Sequence, residues 1–301
     1  MVDLSRSSAQ IHANLFEVLM ALPYTDVLQS KIQPSVGTFL GTSRRITHAV
    51  FDFDGTLSWL RHGWPEMMLE TFAPYLPSGE SLEDDVVRGR LLDLILSLNG
   101  KPSIQQMAMF QQYALERGSH SPEPEALRAD FQSRLDDHIR SRTDEIASGA
   151  VIRDAYVVAG ARRLLAHLYD SGVKLYVLSS TIEHRVREEA EVLGLSSFFE
   201  GRIHGSPANP DGFTKRAVFD RILIEENISG AQLLALGDGP VEIRDAKALG
   251  GIAIAVCTDE EVNGSGISDP FKLQQLTAAG ADAAIPDFLN AVDLIEPLVT
   301  R

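Results

Sequence analysis

The feature that most constrains the fold is a short apolar run that ends in two closely spaced acids. Residues 49–51, preceded by Ile46, have the continuous apolar character of a strand buried in a parallel sheet. Asp52 and Asp54 follow directly, and Gly55 then permits a sharp turn. Because open parallel sheets bind ligands at the carboxyl ends of their strands, we expect both acids at a binding crevice. The same residues are also typical of a helix N-cap followed by a turn.

From residue 155 onward, apolar runs alternate with amphipathic stretches. The pattern predicts strands over residues 173–178, 202–204, 233–236, 252–256 and 283–285, and helices over residues 161–169, 182–193, 215–225, 243–249 and 286–298. This alternation predicts an α/β fold with a Rossmann-like parallel sheet.

Residues 59–150 contain few strand-like runs. Amphipathic helices are predicted near residues 91–98, from Ser103 onward and over residues 124–146. We therefore expect a helical domain, residues 59–150, inserted into a core made of residues 46–58 and 151–301. Residues 1–45 are predicted to be a helical extension that packs on the core, with a helix near residues 8–22.

Composition restricts the partners. Among 301 residues the formal net charge is −15, which argues against a nucleic-acid-binding surface. No apolar run reaches membrane-spanning length, and the first twenty residues lack a signal-peptide pattern. The single cysteine, Cys257, excludes an intramolecular disulfide. We expect a cytoplasmic protein without a membrane or nucleic-acid partner; the sequence leaves the oligomeric state open.

One further acid, a hydroxyl and a lysine lie at the ends of predicted strands or at the start of a predicted helix. Asp238 ends another predicted strand, so it is expected to converge with Asp52 and Asp54. Such close carboxylates need a counterion, and Mg²⁺ suits an all-oxygen site that also binds a substrate phosphate. Ser179 ends the strand after the helical insert. Lys215 begins a predicted helix, where a cation opposes the helix dipole and is better reserved for an anion.

Four elements follow one another along the chain: the acids after the first strand, Ser179, Lys215 and Asp238. In this order they resemble the motifs of the haloacid dehalogenase superfamily. The resemblance covers residues 47–58 and about 155–288, and the helical insert matches the caps of some members. It implies that Asp52 is a nucleophile towards phosphorus and that Asp54 is the general acid and base. It also implies that Ser179, helped by the backbone N–H of Ser180, binds a phosphoryl oxygen, and that Lys215 holds Asp52 and neutralises the phosphate.

The resemblance implies a Mg²⁺ site in which Asp52, Asp54, Asp238 and Glu242 are the candidate ligands. The superfamily pattern usually has Gly-Asp, three residues and then Asp, whereas this chain has Glu242 at the last place. Asp245, one helical turn further, is the alternative contact to the metal shell.

The function implied by the resemblance is a Mg²⁺-dependent phosphatase of a small phosphorylated metabolite, for instance a sugar phosphate. A phosphomutase uses the same motifs and stays open. A dehalogenase is unlike this chain because dehalogenases lack the second acid, here Asp54. A non-catalytic binding protein would need none of these residues. Arg61 and Lys101 are the candidate substrate contacts from the cap, and an ordinary surface or packing role is equally open for both.

Overall fold

Six parallel strands form one sheet in the computed structural model, which describes residues 44–98, 102–207 and 213–299. The strands are β1 (His48–Phe51), β2 (Lys174–Ile182), β3 (Ile203–Ser206), β4 (Leu233–Gly237), β5 (Ile252–Val256) and β6 (Ala283–Ile285). Their order across the sheet is β3-β2-β1-β4-β5-β6. The chain leaves β1 towards β2 and β3, then returns to β4 on the other side of β1. This reversal opens a crevice at the carboxyl ends of β1 and β4.

Helices cover both faces of the sheet. They are α5 (Ala161–Asp170), α6 (Glu183–Val192), α7 (Ser196–Phe199), α8 (Lys215–Glu225), α9 (Pro240–Ala248), α10 (Pro270–Ala278) and α11 (Ala291–Val299). Because strand side chains alternate, Ala49 and Phe51 of β1 join one apolar cluster while Val50 joins the other. β1 is thus buried on both faces, which explains its continuous apolar sequence.

Four helices between β1 and β2 share an apolar cluster of their own. They are α1 (Trp64–Phe72), α2 (Asp85–Leu96), α3 (Ser103–Glu116) and α4 (Pro124–Ala147). Phe72 and Phe110 stack at its centre with ring centroids 4.0 Å apart. This separate cluster supports an inserted cap, whose boundaries remain a prediction.

The predicted α/β fold with a parallel sheet is confirmed. Three helices, α1, α7 and α10, are absent from the prediction. The second strand extends to Ile182, beyond the predicted end at residue 178, because its distal part pairs with β3. The last helix begins at Ala291 instead of residue 286, since the Phe288 N–H donates to the carbonyl of Ala159 and holds the preceding residues outside a helix.

The predicted N-terminal helix and Lys101 lie outside the described residues. Within the described ranges, every helix is too short or too polar to cross a membrane.

Candidate active site

Asp52 stands at the end of β1 with its carboxylate held on both sides. The Phe53 N–H donates to its Oδ1 at 2.7 Å, and Lys215 Nζ lies 2.6 Å from its Oδ2. The Asp52 N–H continues the sheet pairing by donating to the carbonyl of Leu236 in β4. Asp52 is therefore oriented by the backbone and paired with a cation.

Lys215 is a buried cation between two acids. Its helix begins where the Thr214 hydroxyl accepts a hydrogen bond from the Ala217 N–H. Its side chain is only 7% exposed, and Nζ also donates to Glu242 Oε2 at 3.0 Å. Burial alone would lower the pKa of Lys215, but the carboxylates of Asp52 and Glu242 outweigh it and raise that pKa. The ammonium thus stays charged beside Asp52.

Glu242 is held in place from its own helix. Its Oε1 accepts from the Gly239 N–H at 2.7 Å at the start of α9, while Oε2 faces Lys215. A side chain at Gly237 or Gly239 would collide with this carboxylate, so both glycines leave room for it. The glutamate side chain, which is longer than the usual aspartate at this place, therefore holds Lys215 in position.

Asp238 follows β4 and lies against the turn after β1. Gly55, at φ +72°, would place a Cβ on the Asp238 carboxylate, so only glycine lets the two segments meet. Thr56 Oγ1 donates to Asp238 Oδ1 at 3.3 Å. Burial raises the pKa of Asp238 to about 6, with Lys272 opposing and Asp52 adding to the increase.

Three carboxylates come together at the ends of β1 and β4. One oxygen each of Asp52, Asp238 and Glu242 lies within 4.8 Å of the others. Burial raises the pKa of Asp52 as well, with Lys215 opposing and Glu242 adding to the increase. Asp245 and the Asp54 carboxylate lie outside this group of oxygens. Among the residues that the structure describes, these three are thus the candidate metal ligands.

Asp54 occupies different surroundings from Asp52, although only one residue separates them. Arg61 Nε lies 2.6 Å from its Oδ1, and the Thr181 hydroxyl donates to its Oδ2 at 2.8 Å. The sequence analysis also assigned Asp54 to the metal site, but its carboxylate oxygens contact Arg61 and Thr181 and lie outside the group of ligand oxygens. The geometry thus gives the two carboxylates different partners.

The end of β2 carries the predicted phosphate-binding residues. Ser179 is buried, and its Oγ accepts from the Thr181 N–H at 3.0 Å. Ser180 is exposed. The Thr181 hydroxyl donates to Asp54, and α6 begins without a side-chain cap. The extended strand beyond residue 178 makes this reach possible.

Sequence reasoning missed Lys272 of α10. Its Nζ lies 3.3 Å from Asp238 Oδ2 and 2.5 Å from Glu260 Oε1, and it donates to the Thr258 hydroxyl at 2.8 Å. The Asp269-Pro270 start of its helix was a usable signal, because Asp at the N-cap and Pro at the first position are typical of helix starts. No sequence pattern indicated where the lysine would point.

A family model for haloacid dehalogenase-like hydrolases matches residues 46–250. The chain belongs to this family. The match includes the acids after β1 and β4 and the lysine between them. No curated protein matches the sequence of this hydrolase.

Solved structures share the fold of this haloacid dehalogenase-like hydrolase. One is described as a predicted phosphoglycolate phosphatase from Haemophilus somnus, with 15% identity, a TM-score of 0.56, and coverage of 84% of this chain and 99% of that one. A family hydrolase from Deinococcus radiodurans, with bound phosphate and sodium, has 15% identity, a TM-score of 0.59 and coverage of 85% and 99%. A third, from Thermotoga maritima and assigned by prediction as a β-phosphoglucomutase, has 15% identity, a TM-score of 0.52 and coverage of 84% and 97%.

Proposed function

We propose that this hydrolase is a Mg²⁺-dependent phosphatase of a small phosphorylated metabolite, with sugar phosphates as one candidate class. The observation that carries the proposal is the division of labour between Asp52 and Asp54. Asp52 is paired with the buried Lys215 at 2.6 Å, whereas Asp54 is held by Arg61 and Thr181. One acid is suited to attack and the other to proton transfer. The bound phosphate named for the Deinococcus radiodurans relative supports a phosphate ligand.

The donor set fits Mg²⁺. Asp52, Asp238 and Glu242 offer oxygen ligands only, and Mg²⁺ prefers such ligands together with waters and a substrate phosphate. Burial raises the pKa of both Asp52 and Asp238, so a nearby cation would stabilise their charged forms. When bound, Mg²⁺ supplies positive charge that stabilises negative charge developing on the transferred phosphoryl group.

The residues of this chain account for both steps of hydrolysis. A carboxylate oxygen of Asp52 forms a bond to phosphorus while the bond from phosphorus to the leaving oxygen breaks, and Asp54 gives that oxygen a proton. Asp54 then takes a proton from water as the water oxygen attacks phosphorus and releases Asp52. Lys215 and the hydroxyl of Ser179 stabilise charge on the phosphoryl oxygens. The substrate role of Ser180 and the cytoplasmic location stay predictions.

A phosphomutase would use the same residues but return the phosphoryl group to the substrate. The test that separates the two is a screen of phosphorylated metabolites for inorganic phosphate. Steady phosphate release without a bisphosphate activator supports the phosphatase, and isomerised product without phosphate release supports the mutase.

The Asp52→Asn variant tests the proposed nucleophile. We expect it to abolish phosphate release while the fold persists, because an amide keeps the shape of the carboxylate but cannot attack phosphorus. Phosphate release and circular dichroism would be measured on the same preparation. Unchanged release by the folded variant contradicts the assignment.

A further inference from the structure

Arg61 links the Asp54 carboxylate to a second buried acid, Glu189 of α6. Its Nε lies 2.6 Å from Asp54 Oδ1, and its Nη2 donates to Glu189 Oε1 at 2.6 Å. The Arg61 side chain is 14% exposed and that of Glu189 is 8% exposed. The planar guanidinium therefore lies between two carboxylates that come from distant parts of the chain.

Glu189 is an unusual residue for its position on α6. It lies on the buried side of the helix with Val186 and Ala190, where an apolar side chain would be expected. Its Oε2 is buried and has no hydrogen-bond partner among the described residues. Burial raises the pKa of Glu189 to about 7, with Arg61 opposing and Asp54 adding to the increase. A buried carboxylate with an unsatisfied oxygen costs stability, so packing alone does not explain it.

The two carboxylates restrain Arg61 in a way that one could not. With Nη2 bound to Glu189, the guanidinium is held beside Asp54, and its Nε lies 2.6 Å from Oδ1 in an ion pair. The Thr181 hydroxyl holds the other oxygen, Oδ2. The negative charge of Glu189 also offsets the positive charge of the Arg61 guanidinium beside Asp54. Both oxygens of Asp54 are thus oriented before a substrate arrives.

We propose that Arg61 and Glu189 are positioning residues that hold Asp54 in the orientation required for proton transfer to the leaving group. The inference rests on the proposed phosphatase function, in which Asp54 is the acid. It differs from the sequence-based prediction that Arg61 contacts the substrate, which remains untested. The two roles predict different responses to a change of leaving group.

The test compares phenyl phosphate with p-nitrophenyl phosphate. The two esters share one ring, but phenolate is the more basic leaving group and depends more on a proton from Asp54. The quantity measured is kcat/KM, which reports the steps up to the first cleavage. We expect Glu189→Ala to lower kcat/KM for phenyl phosphate about tenfold more than for p-nitrophenyl phosphate, as general acid catalysis weakens. Arg61→Met should act in the same direction.

Conservative variants and a control complete the design. Glu189→Gln should restore most of the lost activity on phenyl phosphate, because its amide oxygen still accepts from Arg61 Nη2. Arg61→Lys keeps the charge without the planar fork, so we expect it to remain impaired. Glu188, the exposed neighbour on α6, provides the control Glu188→Ala, which should match the wild type on both esters. Thermal unfolding checks that each variant is folded.

The outcomes separate this inference from the proposed function. Equal losses on the two esters, or a Glu189→Gln variant as impaired as Glu189→Ala, would overturn the positioning role while leaving the phosphatase intact. Unchanged kinetics in Arg61→Met would also overturn the positioning role. That result would favour the alternative, in which Arg61 contacts a larger substrate. A wild-type protein that releases phosphate from neither ester, and from no metabolite in the screen, would contradict the function itself.

Discussion

At the scale of single residues, the candidate site depends on side chains that are charged and buried together. Lys215 and Lys272 are both almost fully buried, and each lies beside a carboxylate of the metal-ligand group. Such charges are tolerated only when they are paired. The site is therefore a connected set of ion pairs, in which a change at one residue alters the surroundings of the next.

The two acids after β4 should contribute unequally to metal binding. Glu242 already accepts from Gly239 and Lys215, whereas the protein contacts of Asp238 are longer, at 3.3 Å. We expect Asp238→Asn to weaken Mg²⁺ binding more than about 100-fold and Glu242→Gln about tenfold, as for residues that orient ligands. Isothermal titration calorimetry measures both affinities.

Asp245 supplies the control for this comparison, because it lies on the same helix as Glu242 but outside the group of ligand oxygens. Asp245→Asn should bind Mg²⁺ like the wild type. If Glu242→Gln weakens binding more than Asp238→Asn does, the ligands have been assigned in the wrong order.

Glu189 should make the free energy of unfolding depend on pH. Its pKa is raised from 4.5 to about 7 in the folded protein, so the folded state holds this proton more tightly than the unfolded state. The contribution of Glu189 to the free energy of unfolding is fully present below about pH 4.5 and is lost as the pH rises through about 7. Glu189→Gln removes this loss, and we expect it to gain on the order of 1 kcal/mol relative to the wild type between about pH 4 and pH 8.

Urea unfolding of Glu189→Gln and the wild type at both ends of this pH range measures the effect. A stability difference that is the same at both ends, or that falls with rising pH, would contradict the buried, unfavourable charge at this position.

At the scale of elements, two contacts connect helix α4 to the core and to the segment after β1. Arg185 of α6 forms a two-pronged pair with Asp136 of α4, at 2.6 and 3.2 Å. Arg142 of α4 donates to the carbonyl of Leu60 at 2.6 Å and to that of His62 at 3.1 Å. Arg61 lies between Leu60 and His62 in the chain. Helix α4, the last helix of the insert, therefore also fixes the segment from which Arg61 reaches Asp54.

The helices of the insert should lose order together when their own cluster is damaged. Phe110 is fully buried and stacks on Phe72, so Phe110→Ala removes a large side chain from the centre of that cluster. We expect a loss of about 3–5 kcal/mol. Hydrogen exchange measured by mass spectrometry should accelerate over residues 64–147 and leave the sheet protected, because the sheet clusters are separate.

Leu115 lies on the same helix as Phe110 but is 56% exposed, so Leu115→Ala is a matched control that should leave exchange unchanged. Equal acceleration in the sheet would show that the insert and the core unfold as a single unit.

At the scale of the whole molecule, a protein with an excess of negative charge carries a site proposed to bind phosphate. The formal net charge is −15, and the ligand group places three of the acids together. A substrate anion can approach only where local cations reverse this field. Lys215 and Lys272 supply two such charges, and a divalent ion would add more.

Mg²⁺ should therefore stabilise the folded protein as well as support its activity. Binding to the folded state alone adds about 2.7 kcal/mol when the ion is present at about 100 times its Kd. We expect Tm to rise with Mg²⁺ in the wild type and much less in Asp238→Asn, as measured by calorimetry. Phosphate release should stop after chelation and return when Mg²⁺ is added; full activity after exhaustive chelation would contradict the metal requirement.

The sequence by itself determined the sheet and the acids at its edge. A buried parallel strand needs a continuous apolar run, and a binding crevice lies where such strands end; both properties are local. Asp52, Asp54 and Asp238 were predictable for this reason, and so was α8 with Lys215 at its start. The helix α10 had a local signal too, in Asp269 and Pro270.

Only the tertiary structure decided which side chains surround those acids. Thr181 reaches Asp54 because β2 pairs with β3 beyond the end that its apolar run indicates. Glu189 and Lys272 lie far along the chain from their partners, on helices whose rotation and distance are set by packing against the sheet. From sequence alone, a charged residue on a helix is expected at the surface, and only the packing of that helix shows that it is buried. The partners of a charged group depend on the whole fold, because electrostatic pairing acts through space and leaves no periodic trace in the sequence.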